Sequence, residues 1–249
     1  MIIIPDVHGR KFWKDAMGLE CPKVFLGDYL DPYDDEGVEI GGQEALDNFR
    51  EIIDYASADK DVKLLVGNHD LEYMIGKEIC YCRCDDYRYN EIRDLFHANI
   101  DLFDLCYETE IGGGRFFLSH AGLNYKWYAR HKELFGVESY EKAFDAELLN
   151  ELFRRGYLDD ALGDYSYFRG WFGGDCGSIV WADIREFALD DTVFPKGIKQ
   201  IVGHTRCKQT VDLGGIVCID SEPHSCYRLG DDGVLEKFMV SEKFNLLKS

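Results

Sequence analysis

The chain has 249 residues, 46% of them hydrophobic and 30% charged, ordinary globular proportions that exclude a disordered or fibrous polypeptide and allow one large domain. Its formal charge of −19 sets a repulsive field against a phosphate backbone, so nucleic acid is not the expected partner. Nine cysteines, with no basic leader ahead of Pro5-Asp6 and no stretch approaching the ~20 apolar residues of a membrane span, set the expectation of a reduced cytoplasmic protein that needs no disulfide.

In chain order, short apolar runs repeatedly end in a polar cluster. Ile2 to Ile4 runs into Pro5-Asp6-Val7-His8, Val24 to Leu26 into Gly27-Asp28-Tyr29-Leu30-Asp31, and Val62 to Val66 into Gly67-Asn68-His69-Asp70. Phe116 to Leu118 ends at Ser119-His120, and Ile198 to Val202 at Gly203-His204. Each is the signature of a buried strand with chemistry at its C-terminal end, where the ligand crevice of an open α/β sheet lies. Gln43 to Tyr55 and Tyr89 to Leu105 carry apolar residues at helical spacing and read as helices. After His204 the runs Val217 to Ile219, Cys226 to Leu229 and Leu235 to Val240, the last two joined by Gly230-Asp231-Asp232-Gly233, predict an antiparallel finishing sheet. One mixed α/β domain over 1–249 is expected. The stretch 136–175, helical around Tyr140 to Arg154 and then rich in Gly and Tyr, is expected to form a cap or specificity insertion beside the site.

Asp6 and His8 alternate at a strand end, so a carboxylate and an imidazole can leave one face and chelate one ion. Gly27 lets the backbone approach closely beside Asp28, the natural ligand to bridge two ions. Asn68 adds an amide oxygen and His120 and His204 add imidazoles, and divalent ions of hard or borderline character accept both kinds of donor. A single strand-end histidine is more often structural, and a Gly-Asn turn needs no ligand. Five such clusters in order point to one centre. Cys80, Cys82 and Cys84 lack the Cys-x-x-Cys knuckle of a zinc or iron–sulfur site and read as free thiols in or near a helix.

The order Asp-x-His, Gly-Asp-x-x-Asp, Gly-Asn-His-Asp, His, Gly-His resembles the calcineurin-like metallophosphoesterase superfamily over nearly the whole chain. The nuclease and cyclic-phosphodiesterase branches usually carry Gly-His-x-His in the last motif, where this chain has Arg206 two residues after His204. That difference, with Ile179-Val180-Trp181-Ala182-Asp183 ahead of it, makes the resemblance nearest to the serine/threonine phosphoprotein phosphatases and the symmetrical dinucleoside-tetraphosphatases.

The resemblance implies a four-layer α-β-β-α sandwich of two mixed sheets flanked by helices. It implies two divalent metal ions, Asp6 and His8 on the first, Asp28 bridging, and Asn68, His120 and His204 on the second. These donors suit manganese first, or iron, zinc or nickel. Two such ions can share a hydroxide and clamp an in-line displacement at phosphorus. His69 is similar to the family's general acid, with Asp31 as its carboxylate partner. Pro32-Tyr33 replaces the Arg-Gly that follows in the phosphoprotein phosphatases, which removes an arginine that grips phosphate. Asn68, Arg185 and Arg169 are the candidates for that contact, with Arg10 and Arg206 behind them. The expected activity is a metal-dependent phosphatase acting on a phosphorylated small molecule, nucleotide or phosphopeptide. The alternatives are a dinucleoside polyphosphate or phosphodiester hydrolase and a non-catalytic scaffold, the last disfavoured because every matched ligand is present.

Overall fold

The structure is a computed structural model that describes residues 1–33, 39–76, 82–136, 145–169, 174–189 and 192–238. In chain order, β1 (Ile2–Ile4), β2 (Lys23–Phe25), β3 (Val62–Leu65) and β4 (Phe103–Asp104) come first. β5 (Cys106–Ile111), β6 (Gly114–Ser119), β7 (Lys199–Val202), β8 (Val211–Asp212) and β9 (Ile216–Cys218) follow, and β10 (Tyr227–Leu229) and β11 (Leu235–Lys237) close the described chain. They form a six-stranded sheet ordered β11-β10-β1-β2-β3-β4 and a five-stranded sheet ordered β5-β6-β7-β9-β8.

The period-two alternation of each strand divides its side chains between two cores. Ile3, Val24, Leu26 and Leu65 of the first sheet meet Phe116, Leu118, Ile201 and Val217 of the second. Ile2, Ile4, Phe25 and Leu64 turn the other way and pack under α1 (Gly42–Ala58) and α3 (Tyr89–Ala98). The buried stripe Ala45, Leu46, Phe49, Ile52, Ile53 and Ala56 is what makes α1 a helix on a sheet,. Each fully buried aliphatic side chain in these layers contributes about 1.5–3 kcal/mol.

Parallel pairing of β1 with β2 and of β2 with β3 brings their C-terminal ends to one edge, where α2 (Asn68–Ile75) begins. Parallel pairing of β6 with β7 does the same for the ends that carry His120 and His204. The fold thereby gathers the five polar clusters.

Two expectations change. The run Tyr89 to Leu105 is not one helix: α3 stops at Ala98, a single 3-10 turn follows, and Phe103–Asp104 pairs in parallel with β3. Asn99 caps that end by donating from Nδ2 to the Leu95 carbonyl at 2.8 Å, while Phe103 is claimed by an aromatic cluster with Tyr29, Phe49 and Phe96. The finishing strands are also not one antiparallel sheet. β9 lies parallel to β7 in the second sheet, and the hairpin β10–β11 crosses to the first and pairs antiparallel with β1.

Of the stretch 136–175, residues 137–144 and 170–173 lie outside the described residues. α4 (Tyr125–Arg130) precedes it, and α5 (Ala146–Arg154) and α6 (Asp159–Leu162) lie within it. α5 is pinned to the start of β5 by Asn150, whose Oδ1 accepts from the Leu105 and Cys106 amides at 2.9 and 3.1 Å. α7 (Ile184–Leu189) follows the Trp181-Ala182-Asp183 segment.

Candidate active site

At the C-terminal edge of the sheets lies a cavity of about 360 Å³ lined by Asp6, His8, Asp28, Asn68, His69 and His204, with arginines around them. The loops that carry these residues leave their strands by unusual backbone. Among the described residues, the non-glycines in the left-handed region are His8, Asp28, Asp31 and His204, all of them predicted site residues. Such conformations cost on the order of 1–3 kcal/mol each and persist where the surrounding structure enforces them.

Glycine makes the approach possible. A Cβ on Gly27 would meet the Gly67 nitrogen, one on Gly67 would meet Asp28 Oδ1, and one on Gly203 would meet Asp6 Oδ1, all far inside van der Waals contact. Asp70 then ties the first two loops together, accepting from the Asp28 and Gly67 amides at 2.7 and 2.8 Å through Oδ2 and from the Tyr29 amide at 3.1 Å through Oδ1. Asp6 ties in the last loop by accepting from the His204 amide at 2.9 Å.

The histidines are fixed as lone-pair donors. His8 Nδ1 lies 2.8 Å from the Leu30 carbonyl and His120 Nδ1 lies 2.8 Å from the Leu26 carbonyl; a carbonyl only accepts, so each Nδ1 carries the proton and each Nε2 is bare. Burial depresses both imidazoles, that of His120 to about 3, so they are neutral at ordinary pH. His120 Nε2 nevertheless sits 2.9 Å from Asn68 Oδ1 and 3.6 Å from Asp28 Oδ2. His8 Nε2 sits 3.4 Å from the same Asp28 oxygen. Lone pairs converge here, an arrangement that a proton on Asp28 or a cation among the ligand atoms satisfies,.

Further observations fit divalent ions. His204 Nε2 is buried with no hydrogen-bond partner, while its Nδ1 lies 3.0 Å from His120 Nε2. Burial, with Asp220 beside it, raises the Asp6 carboxyl well above its ordinary range, and burial raises Asp28 likewise. These are buried carboxylates in need of positive charge. The donors fall into two groups, Asp6, His8 and Asp28, and Asp28, His120 and His204, which share Asp28.

His69 faces the same cavity. Its Nδ1 is 3.0 Å from Asp31 Oδ2, and Tyr73 donates to Asp31 Oδ1 at 2.6 Å. Arg169 lines the cavity and binds Asp183, the His204 carbonyl and Thr205 Oγ1. Arg10 and Arg206 line it too. Arg185 does not: its guanidinium lies on Asp183 in a neighbouring cleft.

Sequence reasoning passed over Arg83. Its guanidinium lies 3.8 Å from the ring centre of Tyr33 and donates to the Pro32 carbonyl at 2.6 Å and to that of Asp31. The segment folds back over α2, with Asn68 Nδ2 donating to Cys82 Sγ at 3.1 Å, and so delivers a cation to the Asp31-Pro32-Tyr33 loop. Cys82 Sγ in turn donates to the Asn68 carbonyl at 3.3 Å, and Cys80 lies outside the described residues. Asp220 and His224, also unforeseen, line the wall.

Residues 2–205 match the Metallophos family, described as calcineurin-like phosphoesterase. A search of curated proteins gives no match. Among solved structures, a point mutant of a cold-active protein tyrosine phosphatase is similar, with a TM-score of 0.54 at 16% identity over 96% of this chain and 80% of that one; at that identity the likeness is one of fold. The Thermus thermophilus sulfate thiohydrolase SoxB aligns with a TM-score of 0.36 at 14% identity, over 94% of this chain and 43% of that one.

Proposed function

This chain belongs to the calcineurin-like phosphoesterase family, and from that premise we propose that it is a two-metal phosphatase that hydrolyses phosphate monoesters. The observation that carries the reading is the convergence of ligand atoms: His120 Nε2, Asn68 Oδ1 and Asp28 Oδ2 crowd one buried space, a donor set suited to a divalent cation. Asp6, His8 and Asp28 would hold one ion, and Asp28, Asn68, His120 and His204 the other. When bound, the pair supplies Lewis-acid polarisation of the phosphoryl group and lowers the pKa of water.

The chain's own residues do the rest. Asp31 accepts the Nδ1 proton of His69, which leaves the Nε2 proton to pass to the departing ester oxygen. Arg83 and Arg169, both on the cavity wall, offer guanidinium forks to the phosphoryl oxygens. Arg83 thereby takes over the contact that Pro32 cannot make.

With manganese added, p-nitrophenyl phosphate is expected to be turned over faster than its bis-ester, and Asp28→Asn is expected to abolish turnover while leaving the far-UV spectrum unchanged. Preference for the bis-ester would move the assignment to a phosphodiesterase. Survival of activity in Asp28→Asn would remove the mechanism.

A further inference from the structure

The geometry points to a second anion subsite in the cleft beside the catalytic cavity, one that selects phosphoesters whose leaving group carries its own carboxylate or phosphate. The inference rests on the phosphatase reading and adds the substrate's second charge to it.

The cleft measures about 520 Å³ and shares Arg169 and Arg206 with the catalytic cavity, while Arg185 lies in the cleft alone. An ester whose phosphoryl group occupies the cavity can place its leaving group past the two shared side chains. Three arginines gather there in an acidic molecule. Arg169 and Arg185 both bind the buried Asp183, at 3.1 and 2.8 Å, and Arg206 binds Glu222 at 2.8 Å. Among the described residues these three guanidiniums share the carboxylates of Asp183 and Glu222, in a protein of net charge −19. Asp183 itself stays ionised, because Arg185 and Arg169 outweigh its burial and hold its carboxyl below the ordinary value.

The cations are also held ready. Arg185 stacks on the Phe168 ring at 4.5 Å and uses Nε and Nη2 on Asp183 at 2.8 Å each, so Asp183 takes that fork and fixes the guanidinium, whose Nη1 lies outside the pair, before any ligand arrives, while the side chain stays 56% exposed. A pre-oriented guanidinium loses less entropy on donating to an oxyanion. Thr205 Oγ1 accepts from Arg169 Nη2 at 3.0 Å and from the Ile184 amide at 3.2 Å, which leaves its own proton to donate. Ile184, Val211 and Leu213 give the cleft an apolar wall that strengthens any ion pair formed there.

The test uses the metal-loaded full chain and phosphate monoesters of ω-hydroxyalkanoic acids of increasing length, each paired with its methyl ester, which has nearly the same size and no second charge. The acid is expected to exceed its ester by about tenfold in kcat/KM at one or more lengths, as for a charge-assisted contact, with the ratio shrinking as salt rises. In Arg185→Gln the ratio falls toward one, and in Leu213→Glu, a change at a partly exposed wall residue, it inverts. Because the ratio is taken within each variant, a partial loss of fold or metal cancels. Alkanediol bisphosphates separate the sources: whichever of acid or bisphosphate has the higher kcat/KM names the second anion. A ratio near one at every length, or one that Arg185→Gln leaves unchanged, overturns the subsite. Hydrolysis of neither member of any pair counts against the phosphatase reading and takes the subsite with it.

Discussion

His69 owes its proton affinity to its neighbours. Burial alone would depress the imidazole, but the Asp28 charge and the Asp31 hydrogen bond outweigh it and hold the group above its ordinary 6.5. A general acid works while protonated, so activity falls as pH rises through the His69 pKa. Asp31→Asn removes a charge that favours the protonated ring; the basic limb of the kcat profile then moves to lower pH, and kcat drops by about 100-fold. A limb that stays in place would assign it to another group. Arg83→Ala is expected to weaken competitive inhibition by inorganic phosphate by about tenfold, with Arg83→Lys restoring only part, since an ammonium cannot reproduce the fork. Inhibition constants equal to the parent's would take Arg83 off the phosphoryl group. Asp6, Asp28, Asn68, His120 and His204 were legible because each closely follows an apolar run. Arg83 was not, because it reaches the site through a fold-back and a contact between Cys82 and Asn68 that no local pattern encodes.

The strands are regular and the strain sits at their ends. At the site, four left-handed non-glycines and the glycines Gly27, Gly67 and Gly203, which have no room for a Cβ, must be held by something outside their own loops, and between β2 and α2 that is Asp70. Asp70→Asn is isosteric, yet an amide nitrogen in place of Oδ2 would face the Asp28 and Gly67 donors that Oδ2 now serves. Two buried N–H groups losing their acceptor cost about 2 kcal/mol or more, measurable as a lower urea midpoint. A midpoint equal to the parent's would mean the crossing does not depend on Asp70. Strand existence was readable from such apolar-to-polar junctions, whereas pairing was not. Phe103 continues the apolar spacing of α3, so only the packing against Tyr29, Phe49 and Phe96 reveals it as strand. β9, β10 and β11 follow one another in sequence like a meander, and what divides them is which core the alternate residues fill: Val217 and Tyr227 lie between the sheets, while Cys218 packs on the outer face against Phe187 and Val202.

At the scale of the whole molecule, the proposed ions and the protons compete for the same buried oxygens. In the metal-free protein Asp6 and Asp28 hold protons to unusually high pH, chiefly through burial, while burial keeps His8, His120 and His204 neutral. For the metal-free fold the signs oppose. The raised carboxyls contribute stability that is full below their ordinary 3.8 and lost as pH climbs through their folded values. The depressed histidines contribute stability that is full above 6.5 and lost as pH falls below it,. Metal uptake has a single sign, because the imidazoles have no proton to surrender and the carboxyls do. Each proton released makes binding more favourable by about 1.4 kcal/mol per pH unit, and binding to the native state alone appears as added stability. The melting temperature with manganese, minus that with a chelator, should therefore widen as pH rises from the ordinary carboxyl range through the raised values of Asp6 and Asp28. A buffer-corrected titration of manganese into the apoprotein should release protons over the same range. Asp6→Asn, which removes one of the two carboxyls, should flatten the widening. A gap constant across the range would mean that Asp6 and Asp28 are already ionised in the metal-free protein and that metal and proton do not compete for their oxygens.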